Sequence, residues 1–416
     1  MYDPFANFSK HILPNGLTVF HSFWDRPWLK MRAVVHSGAG DDPSRLPGLA
    51  HYVEHLASEN VPGRTAMEIR EFFDRIGGGV SLGTTSYQMT HYGFAIPAED
   101  ETIREAMEIF GSMLFLGQLN RQIEHERQVI GHEFNECYPY PERLEWSMRQ
   151  RRAVFAGHRL ENYNRPVGYP HGFREARQID LQSFYDQHYV PANISLVVVG
   201  GIETSKLLSK LQESPFAVHK PGTRNPLLSP LGNLPTPTES MAGIKMSEQS
   251  DFHLSRAEYK ATWSFSAAFP IQALHLFVQL LRRSLFNEIR EKKGHSYKIN
   301  VGHNTFRDVR EFYIDTNIEP GNSSSIDELV DRNITEVAAD REKFETGLKS
   351  RIIITSMSDH SGEAVVSGST SDLGVYHRII SMGEENETLR RVTFDQMAEA
   401  AAMLSPQRRH SLIIEP

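Results

Sequence analysis

A proline-rich stretch near the middle of the chain limits what the chain can become. Residues 214–240 carry Pro215, Pro221, Pro226, Pro230, Pro235 and Pro237 with few apolar pairs. Proline fixes φ and offers no amide donor, so such a stretch reads as an extended linker between folded parts. The 416 residues exceed one ordinary core, and a central break implies two domains of roughly 200 residues each. The expected division is residues 1–213, a linker over 214–240, and residues 241–416.

The two halves share a pattern. Residues 179–199 run as helix, proline-containing turn and a buried strand ending in Leu196-Val197-Val198-Val199. Residues 392–414 do the same, with Ser405-Pro406 in the turn and Leu412-Ile413-Ile414 in the strand. Each half also opens on early strands (17–20 with 31–35; 259–265) followed by a long helix. Hairpin-like strand spacing mixed with helices implies an α+β chain of two related domains, each a largely antiparallel sheet packed with helices. The glycine-rich run at 77–79 reads as a turn. The strand after it, over 86–96, reads as an edge able to pair with an extended peptide.

Only the first half carries His51-Tyr52-Val53-Glu54-His55. On a helix, positions i and i+4 share a face, so both imidazoles can reach one ion. Glu54 projects near that face, where a carboxylate can take a proton from an activated water. The order is the inverse of H-E-x-x-H. Pro47 suits a first turn, Ser44 is the expected cap, and Leu49, Val53 and Leu56 form an apolar stripe. Asn60 and Pro62-Gly63 supply the stop. A further ligand is available from residues 124–136, which read as helical. Glu126, Ile130 and Glu133 share one face; His125 and His132 share another, about 100° away. Spacing leaves both pairs open.

These motifs resemble the pitrilysin/insulinase metallopeptidases, in particular the short two-domain branch that includes mitochondrial processing peptidase and its bacterial relatives. The resemblance covers most of the chain. It includes the opening His11-Ile12-Leu13-Pro14-Asn15-Gly16-Leu17-Thr18-Val19, Gly48-Leu49-Ala50 ahead of the motif, and the Glu126/Glu133 pair. It continues through Tyr189-Val190-Pro191-Ala192-Asn193 to Gly294-His295-Ser296-Tyr297. It implies one Zn²⁺ held by His51, His55 and Glu133, with Glu54 as general base and Glu126 as a supporting carboxylate. It also implies a substrate-binding Arg290/Tyr297 element in the second half. The family's Asn-Ala at the start of its cleft strand is missing; the stretch Gly77-Gly78-Gly79-Val80-Ser81-Leu82-Gly83-Thr84-Thr85-Ser86 stands there with one extra residue. Ala57-Ser58-Glu59-Asn60 likewise replaces the family's usual run after the motif.

The implied activity is zinc-dependent cleavage of extended peptides. A non-catalytic or heterodimer-partner subunit of a processing-peptidase-like complex is the alternative, and a metal hydrolase of non-peptide substrates is a third class. The zinc motif and the Arg/Tyr element lie on one chain, so a homodimer suffices for a closed chamber, with a heterodimer as the other arrangement. A net charge of −8 argues against nucleic acid. The single cysteine, Cys137, excludes an intrachain disulfide and reads as a plain thiol. No apolar run is long enough to span a membrane, and no charged-then-apolar leader opens the chain, so a cytoplasmic location is expected.

Overall fold

A computed structural model describes residues 3–226, 245–249, 254–292, 299–319, 325–357 and 361–416. The described residues fall into two compact units. The first lies within 1–139, 164–227 and 359–381, the second within 140–163, 228–358 and 382–416. The units therefore do not follow the linear division read from the proline-rich stretch. One helix from each half of the chain packs in the unit built by the other half, and the reason is apolar.

The first unit holds a six-stranded sheet: β1 (Ser9–Ile12), β2 (Thr18–Phe23), β3 (Trp28–Val35), β4 (Gly79–Thr85), β5 (Thr90–Pro97) and β6 (Ile194–Gly200). Its order is β1-β2-β6-β3-β5-β4, and only β2 with β6 runs parallel. All seven residues of β6 are buried, which its run of Val and Leu anticipates. Val197 and Val199 on β6, with Phe20 and Val34, pack against Val365, Val366 and Leu373 of the helix Gly362–Tyr376. That contact draws a late segment of the chain into the first unit.

The second unit repeats the arrangement with β7 (Lys245–Gln249), β8 (Ala257–Ser266), β9 (Ile299–Phe306), β10 (Val309–Ile318) and β11 (His410–Glu415). The order is β7-β11-β8-β10-β9, again with one parallel pair, β7 and β11. Strand alternation sorts β8 into two faces. Tyr259, Ala261, Trp263 and Phe265 join a core with the helices Ile271–Phe286 and Ile326–Ala339. On the other face, the helix Pro141–Val154 sets Trp146 against Leu412 and Ile414, and the Val154 carbonyl accepts from the Ser264 hydroxyl at 2.6 Å.

Two expectations need correction. Residues 214–226 are not an extended linker. Pro215–Ala217 form a tight helical turn, Phe216 is buried edge-on to Phe115, and Asn15 donates to the carbonyls of Phe216 and Val218. One aromatic anchor turns a proline-rich composition into a docked strap. Residues 227–240 lie outside the described residues. The sheet edge, moreover, is β4, which starts at Gly79 as the glycine-rich turn ends, and not the strand over 86–96. A tight turn closed by Ser86 N–H to Met89 O at 2.8 Å reverses the chain, and β5 is then interior, with Tyr92, Phe94 and Ile96 buried. No described helix is long and apolar enough to cross a membrane.

Buried neutral histidines give a pH dependence. His21 and His410 are almost fully buried, and burial, aided by nearby positive charge, pulls each from 6.5 to about 4. The unfolded chain therefore takes up these protons first as pH falls, and stability is lost between pH 6.5 and about 4. Each histidine contributes at most about 1.4 kcal/mol per pH unit. Urea denaturation across that range is expected to show a falling midpoint, with a shallower slope for His410→Gln.

Candidate metal centre

The motif helix spans Leu49–Glu59 and is buried on most of its circumference, including Leu49, Tyr52, Val53, Glu54 and Leu56. Its start is held by Asp42 and not by the expected Ser44. The Asp42 carboxylate accepts from the Gly48 N–H at 2.6 Å and from the Ala50 N–H at 2.7 Å. These are donors at the helix start that lack an intrahelical partner, and they partly offset the burial that pushes the Asp42 carboxyl up to about 8. Gly48 takes φ +97°, and a side chain at that position would run into the Val167 carbonyl at 2.7 Å.

The second helix of the site, Ile123–Cys137, is fixed against the first by two residues. The Tyr52 hydroxyl donates to the Ile123 carbonyl at 2.5 Å, and the Arg127 guanidinium lies over the Tyr52 ring. Asn60, at the C-terminal end of the motif helix, donates to the Leu56 and Arg121 carbonyls and accepts from the amides of Asn120 and Arg121. The end of one helix is thereby tied to the approach to the other.

Across this junction, His51 Nε2 and His55 Nε2 stand 3.3 Å apart. Glu133 Oε2 lies 3.5 Å from His51 Nε2, and Glu133 Oε1 lies 3.7 Å from His55 Nε2. One atom from each of the three residues falls within 4.8 Å of the others, and this is the only such group of His, Cys, Asp or Glu among the described residues. His125 and His132, the rival pair, are exposed on the other side of their helix. Glu126 is buried and accepts from His55 Nδ1 at 2.8 Å. That bond fixes the His55 ring and turns its Nε2 toward the cluster, the usual part of a carboxylate behind a ligating imidazole. Cys137 stands outside the group, with the Arg165 guanidinium 3.6 Å from its sulfur.

Electrostatics set the roles apart. Burial, with His55 beside it, pulls His51 down to about 3, so its imidazole is neutral and has a lone pair to give. Burial also opposes charge on His55, but its hydrogen bond to the Glu126 carboxylate and the charges of Glu54 and Glu133 outweigh it and raise its pKa. Burial pushes Glu54 up to about 7, against the pull of His55 and of a hydrogen bond from Thr85; Glu133 adds to the rise. Glu54 Oε2 is 3.9 Å from His51 Nε2. The donor set of two imidazoles and a carboxylate suits a zinc-type cation. The close approach of the two Nε2 atoms beside a carboxylate is the arrangement such a cation would resolve.

Arg290 belongs to the helical turn Asn287–Lys292, and Tyr297 lies outside the described residues. Sequence reasoning missed Asp42 and Thr85. No local spacing rule links either to the motif, since each reaches it through the fold.

Fold and site together define a two-unit α+β protein whose inverted histidine motif faces a glutamate-bearing helix. Residues 29–168 match the family described as "Insulinase (Peptidase family M16)", and residues 178–347 match "Peptidase M16 inactive domain". An uncharacterized zinc protease of Mycobacterium leprae is 24% identical over 341 residues, 80% of this chain and 74% of its own. The beta subunit of mitochondrial-processing peptidase from Lentinula edodes is 26% identical over 326 residues, 76% of this chain and 67% of its own. The crystal structure of a protease from Helicobacter pylori superposes with a TM-score of 0.81 at 15% identity, covering 100% of both chains. The chain belongs to the insulinase, or pitrilysin, family of peptidases.

The geometry predicts one zinc per chain, removed by chelation and restored by added zinc, as read by metal analysis. His51→Ala or His55→Ala abolishes binding, and Glu133→Gln weakens it at least about tenfold. His132→Ala retains the metal; loss in that variant would move the third ligand to the other face of the helix.

Proposed function

We propose that this protein is a metal-dependent endopeptidase acting on extended peptides. The observation that carries the reading is the convergence of His51, His55 and Glu133, with the carboxyl of Glu54 beside them. His51, His55 and Glu133 would hold the cation. Bound there, a zinc ion supplies Lewis acidity toward the scissile carbonyl and acidifies a water. Glu54 accepts the proton of the attacking water and returns it to the leaving amine. Burial holds the Glu54 carboxyl above the usual carboxylate range, which strengthens it as a base. Glu126 keeps the His55 ring in the ligating orientation through Nδ1.

The substrate form follows from β4. It closes one end of the sheet, and an extended peptide can add to such an edge through main-chain hydrogen bonds. A chain locked in a folded domain is not free to lie extended along that edge. In the same reading, Arg290 anchors a substrate carbonyl or carboxylate, and Tyr297 donates to the developing oxyanion. A non-catalytic role is the second reading, favoured by the description "inactive domain" that residues 178–347 match. That stretch contains none of His51, Glu54, His55, Glu126 or Glu133.

The deciding assay is cleavage of a quenched unstructured peptide. Glu54→Gln should keep zinc, because an amide preserves the shape, and should lower kcat by roughly 10²–10⁴-fold. A parent protein that binds zinc and cuts no peptide favours the non-catalytic reading. We further propose a homodimer in which each zinc site is completed by the partner's Arg/Tyr element. Mixing His51→Ala with Tyr297→Phe should then regenerate activity once subunits exchange, and no recovery despite exchange rules that assembly out.

A further inference from the structure

The edge strand approaches Glu54 in an unusual way. Register along β4 and β5 pairs Ser81 with Gly93 and Thr84 with His91, so one extra residue is accommodated in β4 at Leu82–Gly83. Such a bulge bends its strand and re-aims the residues around it. Here it re-aims two of them at one carboxyl. Gly83, at φ +151°, lies so close that a Cβ built on it would fall 2.2 Å from Glu54 Oε1, 2.4 Å from Cγ and 2.6 Å from the carboxyl carbon. Two residues on, Thr85 donates from Oγ1 to Glu54 Oε2 at 2.8 Å. The Thr85 hydroxyl has one hydrogen to give. The neighbouring Thr90 Oγ1 is farther away, at 3.4 Å, and itself donates to the Ser37 carbonyl at 3.1 Å. The carboxylate at 2.8 Å is the better acceptor, since a charged partner makes the stronger bond.

We propose that Thr85 and Gly83 are positioning residues for Glu54: the bulged strand clamps the carboxyl, by a hydrogen bond on Oε2 and by backbone packed against Oε1. This rests on the role of Glu54 as general base. The clamp leaves a second lone pair on Oε2, the oxygen nearer His51, free to take a proton. It also ties the base to the strand that would receive the peptide, so base and scissile bond share one reference frame. Gly83 is therefore required by the base and not by a turn: any side chain at position 83 would displace Glu54.

Two arms test the proposal. In the first, zinc-loaded protein is assayed on the quenched unstructured peptide. Thr85→Val is expected to lower kcat about 10–100-fold with KM and zinc content unchanged, Thr85→Ser to restore most of the loss, and Thr85→Val to add nothing in a Glu54→Gln background. A similar loss in that background, or no rescue by serine, overturns the role. The second arm needs no activity. In zinc-free protein, Gly83→Ala is expected to lower the melting temperature by several degrees, and by less than half as much when Glu54 is first shortened to Ala. Equal losses in both backgrounds would mean that the strand does not press on Glu54. If the parent cuts no peptide, the peptidase reading fails, and the second arm still decides whether the clamp exists.

Discussion

The site depends on the junction between two helices that are far apart in sequence. Asn60 is 2% exposed and uses both ends of its amide to satisfy the backbone between the helices, while Tyr52 reaches the first turn of the second helix. Removing either partner would strand buried backbone groups, at about 1–3 kcal/mol for each group left unsatisfied. More is at stake than stability. The junction decides which residues of the second helix look at the histidines. A rotation of one residue, about 100°, would bring His132 around in place of Glu133.

That registry also gathers like charges. Glu54, Glu126 and Glu133 converge on two imidazoles in a largely buried setting. Only part of this charge is answered within the protein: Glu126 has His55, and Glu54 has the Thr85 hydroxyl. Bringing such groups together costs folding energy, and the cation proposed for this site would offset it. Metal affinity and local stability are therefore two readings of one quantity in this region.

Much of this was legible in the sequence where the signal is local. The i, i+4 spacing of His51 and His55 and the i, i+7 spacing of Glu126 and Glu133 are properties of single helices, and both stretches are helical. The repeated helix–turn–strand pattern identified the paired strands β6 and β11, each beside a parallel neighbour. What was not legible is non-local. Asp42 caps a helix from outside it, Thr85 reaches the helical Glu54 from an edge strand, and Phe216 turns a proline-rich stretch into packed structure. The turn read from Gly77, Gly78 and Gly79 stands, but nothing in the local composition marks residues 79–85 as an edge strand or Gly83 as its point of close approach to Glu54.

The exchange of helices between the halves has a consequence during synthesis. Phe20, Val34, Val197 and Val199 are complete as a sheet face once the first half has emerged, yet Val365, Val366 and Leu373, which cover it, come more than a hundred residues later. At cellular elongation rates that interval is on the order of ten to thirty seconds. A nascent chain of this protein therefore carries a bare apolar surface for the whole of that interval. The helix Pro141–Val154 waits longer still for Leu412 and Ile414. Neither half can mature before its partner, so the ribosome releases this fold nearly all at once.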